Sequence, residues 1–110
     1  MGPQLVATGS LAHVVQDALR AVVDPELGMN VVELGLVYLV EAEPQRVRVE
    51  MTMTSPGCPM GESILEDARA AIGMAVPEAE EISVELVWDP PWTPEMMSED
   101  ARGFFGWSQP

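Results

Sequence analysis

The sequence predicts an α+β fold: a two-layer sandwich with an α-β-β-α-β core, a small mixed three-stranded sheet and a short C-terminal helical tail. Three observations carry that expectation. Two segments repeat apolar residues at helical spacing, two others alternate apolar and polar residues with a period of two, and clusters of proline, glycine and acidic residues separate them. The 110-residue length fits one domain, and 28 Leu, Ile, Val and Phe residues supply enough apolar surface for one modest core. Residues 1–9 read as a flexible N-terminal tail and 10–110 as a single domain.

Met1 to Gly9 shows no sustained periodicity and carries Gly2, Pro3 and Gly9. Ser10 then offers an N-cap, and Leu11, Val14, Val15, Ala18, Leu19 and Val22 form the apolar stripe of an amphipathic helix. Pro25 disfavours helical geometry at Asp24 and is expected to stop that helix. Asp24 to Leu34 reads as a loop, rich in breakers and acids yet too apolar for a solvated linker. Leu36 to Val40 is a strand, and Glu43-Pro44-Gln45 makes the turn into a second, in which Val47, Val49, Met51 and Met53 alternate with Arg48, Glu50, Thr52 and Thr54. Ser55-Pro56-Gly57-Cys58-Pro59 follows. Met60, Ile64, Leu65, Ala68 and Ile72 then mark a second helix, with Pro59 at its first position and Gly73 near its end. Ile82, Val84, Leu86 and Trp88 define the third strand, Asp89-Pro90-Pro91-Trp92 a stiff turn, and Thr93-Pro94-Glu95 the start of a helical tail running to about Arg102.

Composition removes several functions. Five arginines and no lysine stand against 18 acidic residues, a net charge of −13, so no surface can track nucleic-acid phosphates. Without lysine there is no Schiff-base nucleophile, pyridoxal phosphate anchor or Walker-type phosphate loop. One cysteine closes no intrachain disulfide, and one cysteine with one histidine builds no four-ligand zinc or iron-sulfur cage within a protomer unless carboxylates or a partner complete it. No run reaches the roughly 18 apolar residues of a membrane span, and the N-terminus lacks the regions of a signal peptide. The expectation is a cytoplasmic protein with no membrane and no nucleic-acid partner.

Cys58 is the most informative residue. It lies between Gly57 and Pro59 where a strand gives way to a helix, and unpaired N–H groups with the helix dipole favour a thiolate there. A free cysteine is equally a small apolar residue that fills a gap under a helix. Asp24 and Glu26 flank Pro25, a rigid spacing that suits cation binding or proton handling, although most carboxylates of so acidic a chain merely face water. Glu33 has the same status. Thr52, Thr54 and Ser55 lead along the strand toward Cys58 and could donate hydrogen bonds to a sulfur or an oxyanion; threonine on the open face of a strand is also ordinary. His13 falls off its helix's apolar stripe, and the three tryptophans fit packing or an interface.

Four stretches taken together carry a resemblance: Asp24 to Tyr38 (DPELGMNVVELGLVY), Thr52 to Pro59 (TMTSPGCP), Val84 to Pro94 (VELVWDPPWTP) and the Met-Ser-Glu segment after it. In this order they resemble the metal-sulfur cluster biosynthetic family, whose bacterial members include the SufT proteins and the PaaD proteins of phenylacetate degradation. The likeness spans residues 11 to 103 or so. It implies a small α-β sandwich and a factor that helps deliver or insert iron-sulfur clusters into recipient proteins, an assembly factor rather than a catalyst. It places the family's reactive cysteine on Cys58, its acidic pair on Asp24 and Glu26, and its hydroxyl-bearing neighbours on Thr52, Thr54 and Ser55. Glu33 stands where relatives often carry Asp. PaaD-type members carry a cysteine-rich C-terminal extension, whereas Cys58 is the one cysteine here, which favours the SufT-like type.

The resemblance further implies no tightly bound cofactor but transient iron or an iron-sulfur cluster, with Cys58 sharing the metal with a partner or a second protomer of a homodimer. Its partners would be the iron-sulfur assembly machinery and recipient apoproteins. Two other functions compete: an accessory subunit of a phenylacetate-type multicomponent oxygenase, docking through its tryptophan-rich tail, and a thiol enzyme pairing Cys58 with His13.

Overall fold

The computed structural model describes residues 5–25, 27–53 and 61–104. Its elements run β1 (Val6–Thr8), α1 (Ala12–Leu19), β2 (Val23–Asp24), β3 (Met29–Asn30), β4 (Val37–Glu43), β5 (Arg46–Met51), α2 (Gly61–Ala75), β6 (Glu81–Leu86), the 3-10 turn Pro94–Met96 and α3 (Glu99–Phe104).

The sheet has four strands where three were expected, in the order β1-β4-β5-β6. The fourth comes from Val6–Thr8, too short to show periodicity, which pairs parallel with Leu39–Glu41. Gly9 turns this strand into α1 at a φ of 97°, where a Cβ would lie 2.3 Å from the Ala42 carbonyl oxygen. That turn presses the chain against β4, and Leu11 N–H donates to the same Ala42 carbonyl at 3.0 Å. Helix α1 therefore starts at Ala12 behind Leu11, with no side-chain cap, and not at the expected Ser10 cap.

β4 and β5 form the expected hairpin, with Glu43 opposite Arg46 across Pro44-Gln45. β6 runs parallel to β5, Met51 facing Leu86. On one face Val40, Ala42, Val47, Val49, Met51 and Val84 are buried with Val15 and Leu19 of α1 and Ile64, Ala68 and Ile72 of α2. α1 packs on β4, α2 on β6, and the helices on each other. The alternation in β5 produces this arrangement, because one set of side chains must share a face.

Three boundaries shift for local reasons. α1 ends at Leu19, not at Asp24, because Arg20, Ala21 and Val22 bond back three residues and tighten the last turn, freeing Val23–Asp24 to become β2. The expected loop 24–34 thus contains a two-stranded hairpin, with Asp24 opposite Met29. α2 runs past Gly73 to Ala75, since Val76 N–H still reaches Ile72 O at 2.9 Å and Pro77 supplies the stop. The helical tail is broken in two: Met97 is extended, Thr93 makes no side-chain cap, and Ser98 Oγ accepts from Ala101 N–H at 3.1 Å to cap α3.

Gly35 sits at φ 75° where a Cβ would meet the Met96 carbonyl oxygen at 2.1 Å. Gly35→Ala combines left-handed strain with a backbone clash and is expected to destabilise the fold by about 2 kcal/mol or more. Urea unfolding would measure it as a lowered midpoint at unchanged slope.

Candidate functional site

The carboxyl ends of β5 and β6, the amino ends of β4 and α2, and the segment 87–98 meet at one end of the molecule. A relay of backbone hydrogen bonds joins the segments there: Val31 N–H to Val22 O at 2.9 Å, Leu36 N–H to Val31 O at 3.0 Å, and Thr52 N–H to Leu36 O at 2.8 Å. The hairpin that carries Asp24 and the strand end that carries Thr52 are thereby tied to the same end. Asp24 is 1% exposed, and its carbonyl accepts from Leu27 and Gly28, closing a turn in which Gly28 has φ 71°.

Thr52 is fully buried, and its Oγ1 has no hydrogen-bond partner. This corrects the expectation of an open-face threonine. Alternation past β5 places it on the face of Arg48 and Glu50, away from the helices, yet only these two are partly open. Tyr38 stands beside it. The phenol donates to the Pro90 carbonyl at 2.8 Å and to Met96 Sδ at 3.3 Å. Burial pushes its pKa up, while the nearby Thr52 hydroxyl pulls the other way without reaching hydrogen-bond geometry. Glu26, Thr54, Ser55 and Cys58 lie outside the described residues. His13 is exposed, as its position off the stripe predicts.

Glu33 has a role that its sequence context hides. Its carboxylate accepts from Arg20 Nη1 at 2.5 Å and from the Ser98 hydroxyl, and its carbonyl accepts from Ser98 N–H at 2.8 Å. Asn30 Oδ1 in turn holds the Glu33 amide at 2.9 Å. One side chain thus fastens the end of α1 and the start of α3 to the loop between them. The hydrogen bond from Ser98, opposed by partial burial and helped by Arg20, holds the Glu33 carboxyl below its ordinary value. Sequence reasoning did not single out Tyr38, Arg20 or Ser98. The one available signal was the pair of motifs themselves, which set Tyr38 and the Asp-Pro-Pro-Trp turn in the same group of stretches.

Beyond this end, the outer sheet face is a lattice of charge. Arg48 reaches Glu50 at 2.6 Å, Glu41 at 3.5 Å and Glu85 at 3.7 Å, and Arg46 reaches Glu81 at 3.3 Å. Such exposed pairs hold register more than they add stability. Among the described residues no three His, Cys, Asp or Glu side chains gather around a metal-sized space, and no helix is long and apolar enough to cross a membrane.

A small mixed sheet backed by two helices, with one end where the described parts of the signature segments converge, defines a compact α+β domain. The comparisons with known proteins make it specific: residues 13–86 match the iron-sulfur cluster assembly protein family, and the chain belongs to it. The chain is 46% identical over 82 residues to the Fe-S protein maturation auxiliary factor SufT of Staphylococcus aureus, covering 74% of this chain and 92% of that one. It is 40% identical over 94 residues to the Fe-S protein maturation auxiliary factor YitW of Bacillus subtilis, covering 84% and 91%. A crystal structure of a domain of unknown function from Bacillus anthracis superposes with a TM-score of 0.81 at 45% identity, over 86% of this chain and 90% of that one.

Because Glu33 has a lowered pKa in the fold, it binds its proton less readily there than in the unfolded chain. Its stabilisation is therefore fully present above the ordinary glutamate range, about 4.3, and is lost as pH falls through the lower folded value. Glu33→Gln is expected to be less stable than the parent at pH 7, with the gap shrinking below about pH 4. Thermal unfolding of both proteins across pH 3 to 7 would show a constant gap if the carboxylate did not carry the effect.

Proposed function

We propose that this protein is a SufT-like Fe-S protein maturation auxiliary factor, assisting the assembly of iron-sulfur clusters and their delivery to recipient proteins. The observation that carries the reading is the near full-length likeness to the Staphylococcus aureus maturation factor, at 46% identity over 92% of that chain. Family membership over residues 13–86 supports it.

In this reading the cluster is cargo. Cys58 contributes a thiolate, Asp24 and Glu26 supply hard oxygen ligands or take up protons, and the hydroxyls of Thr52, Thr54 and Ser55 donate to sulfur or to a negatively charged intermediate. The chain has a single cysteine, whereas tetrahedral cluster sites draw on about four thiolate-type ligands. Cys58 therefore shares its metal with thiols of a recipient apoprotein, of the assembly machinery, or of a second protomer. An incomplete shell suits a factor that must release what it carries. Such work belongs in the reducing cytoplasm, where the thiol stays free.

The test is a strain lacking the gene, assayed for the activity of a cluster-dependent enzyme such as aconitase. Wild-type protein is expected to restore activity, and Cys58→Ser to leave it at the level of the deletion. Restoration by Cys58→Ser equal to wild type would refute the role of the thiolate. Anaerobic reconstitution with iron and sulfide, read by native mass spectrometry, is expected to give cluster only on species larger than one chain. A stable cluster on a monomer, unchanged by Cys58→Ala, would overturn the shared shell.

A further inference from the structure

The buried hydroxyl of Thr52 asks for an explanation, because a polar group removed from water without a partner is costly and is retained where something comes to pair with it. Its face of the sheet is otherwise open. Arg48 and Glu50 on the same side are only partly covered, so the closure over Thr52 is local. The segment that runs over this end, Asp89 to Met97, is anchored unusually. Asp89, Pro90, Pro91, Thr93, Pro94 and Glu95 are exposed; its apolar anchors are Trp92, half-buried against the core, and Met97, fully buried at the far end.

Between its ends the segment is held by the packing of Trp92 on the core, by the close approach of Met96 to Gly35 and by three side-chain hydrogen bonds. Trp92 Nε1 donates to Leu34 O at 2.8 Å, and Tyr38 Oη donates to Pro90 O at 2.8 Å and to Met96 Sδ at 3.3 Å. Its two ends are fixed more firmly, by Val87 N–H to Met51 O at 2.8 Å and by Ser98 to Glu33. Three prolines stiffen the span between them. Exposed residues on either side of one half-buried side chain, Trp92, between fixed ends are the physical marks of a unit that opens locally while the core stays folded.

We infer that residues 89–97 form a hinged strap that closes over Thr52, latched by Tyr38 and Trp92, and that the Thr52 hydroxyl becomes available only when the strap swings out. The functional side of this inference rests on the reading that Thr52 belongs to the cargo-handling site. The strap then keeps that hydroxyl from water and cargo until docking of a recipient or of the assembly machinery releases the latch. Tyr38 is a positioning residue here, since its phenol couples the strap to the ground beside Thr52.

The test uses the full chain with Cys58→Ala as background, so that one introduced thiol reports accessibility. Thr52→Cys is labelled with Ellman's reagent, and Ala68→Cys, on the buried face of α2, serves as the probe of global unfolding. The strap predicts that the thiol at 52 reacts at least 10-fold faster than the one at 68. It also predicts that Trp92→Phe or Tyr38→Phe accelerates the first by a further 10-fold and leaves the second unchanged. Equal rates at the two positions, or no acceleration by either latch variant, would overturn it.

Should Thr52→Cys fail to fold, hydrogen exchange of the otherwise unaltered protein decides. The Trp92 indole N–H is expected to be at least 10-fold less protected than the Val49 amide in β5, and less protected still in Tyr38→Phe; equal protection of the two groups refutes the strap. Neither readout involves cluster transfer. A protein without any role in maturation could still show the strap, and a failed strap would leave the complementation by Cys58 untouched.

Discussion

The signature end of this protein depends on the backbone relay that runs from Val22 through Val31 and Leu36 to Thr52. Each link is an ordinary amide-carbonyl bond of 2.8 to 3.0 Å, but together they tie a small hairpin, an irregular loop and a strand end into one frame. Without them, the Asp24 hairpin would be a two-stranded ribbon of two residues a side, far too small to be stable alone. The relay also explains the apolar content of the loop. Val31, Leu34 and Leu36 are fully buried, and they hold the relay in a dry environment where its hydrogen bonds are not exchanged for water.

Elements with a long regular pattern were legible in the sequence, and those defined by tertiary closure were not. The two-residue period of 47–53 and the helical spacing of 60–72 each describe a buried face many residues long, and both appear within a few residues of their expected bounds. Val6–Thr8 and the strands of the Asp24 hairpin have two or three residues each, too few to express any period, and exist because a neighbour offers backbone partners. Thr52 illustrates the same limit at one residue. Alternation puts it on the outer face, but does not foretell that it is fully buried, nor that Tyr38 beside it reaches a carbonyl more than 35 residues further along the chain.

The likeness to the maturation factors and the chain's own chemistry constrain each other. A chain with five cations, eighteen carboxylates and one thiol has little means of holding soft metal alone, and relatives named for auxiliary roles are consistent with that shortage. The acidity has a second consequence. Arg46, Arg48 and Arg20 each pair with carboxylates, and the net charge of −13 makes the overall field of the molecule negative. A field of that sign slows encounter with like-charged surfaces and speeds it with basic ones.

Glu33 and Tyr38 divide the work of holding the segment that follows β6. Glu33 grips Ser98 through both main chain and side chain, and the hydrogen bond from Ser98 with the Arg20 contact favours its charged form, so the grip is a charge-assisted one. Tyr38 and Trp92 hold the middle through neutral hydrogen bonds, each of which contributes less, together with the half-buried packing of Trp92. The gradient from a charged anchor to neutral latches means that stress applied to this segment is released in its middle first. A fold built this way can expose one buried hydroxyl without giving up the core of Val15, Leu19, Val49 and Ile72 that the two helices and the sheet hold in common.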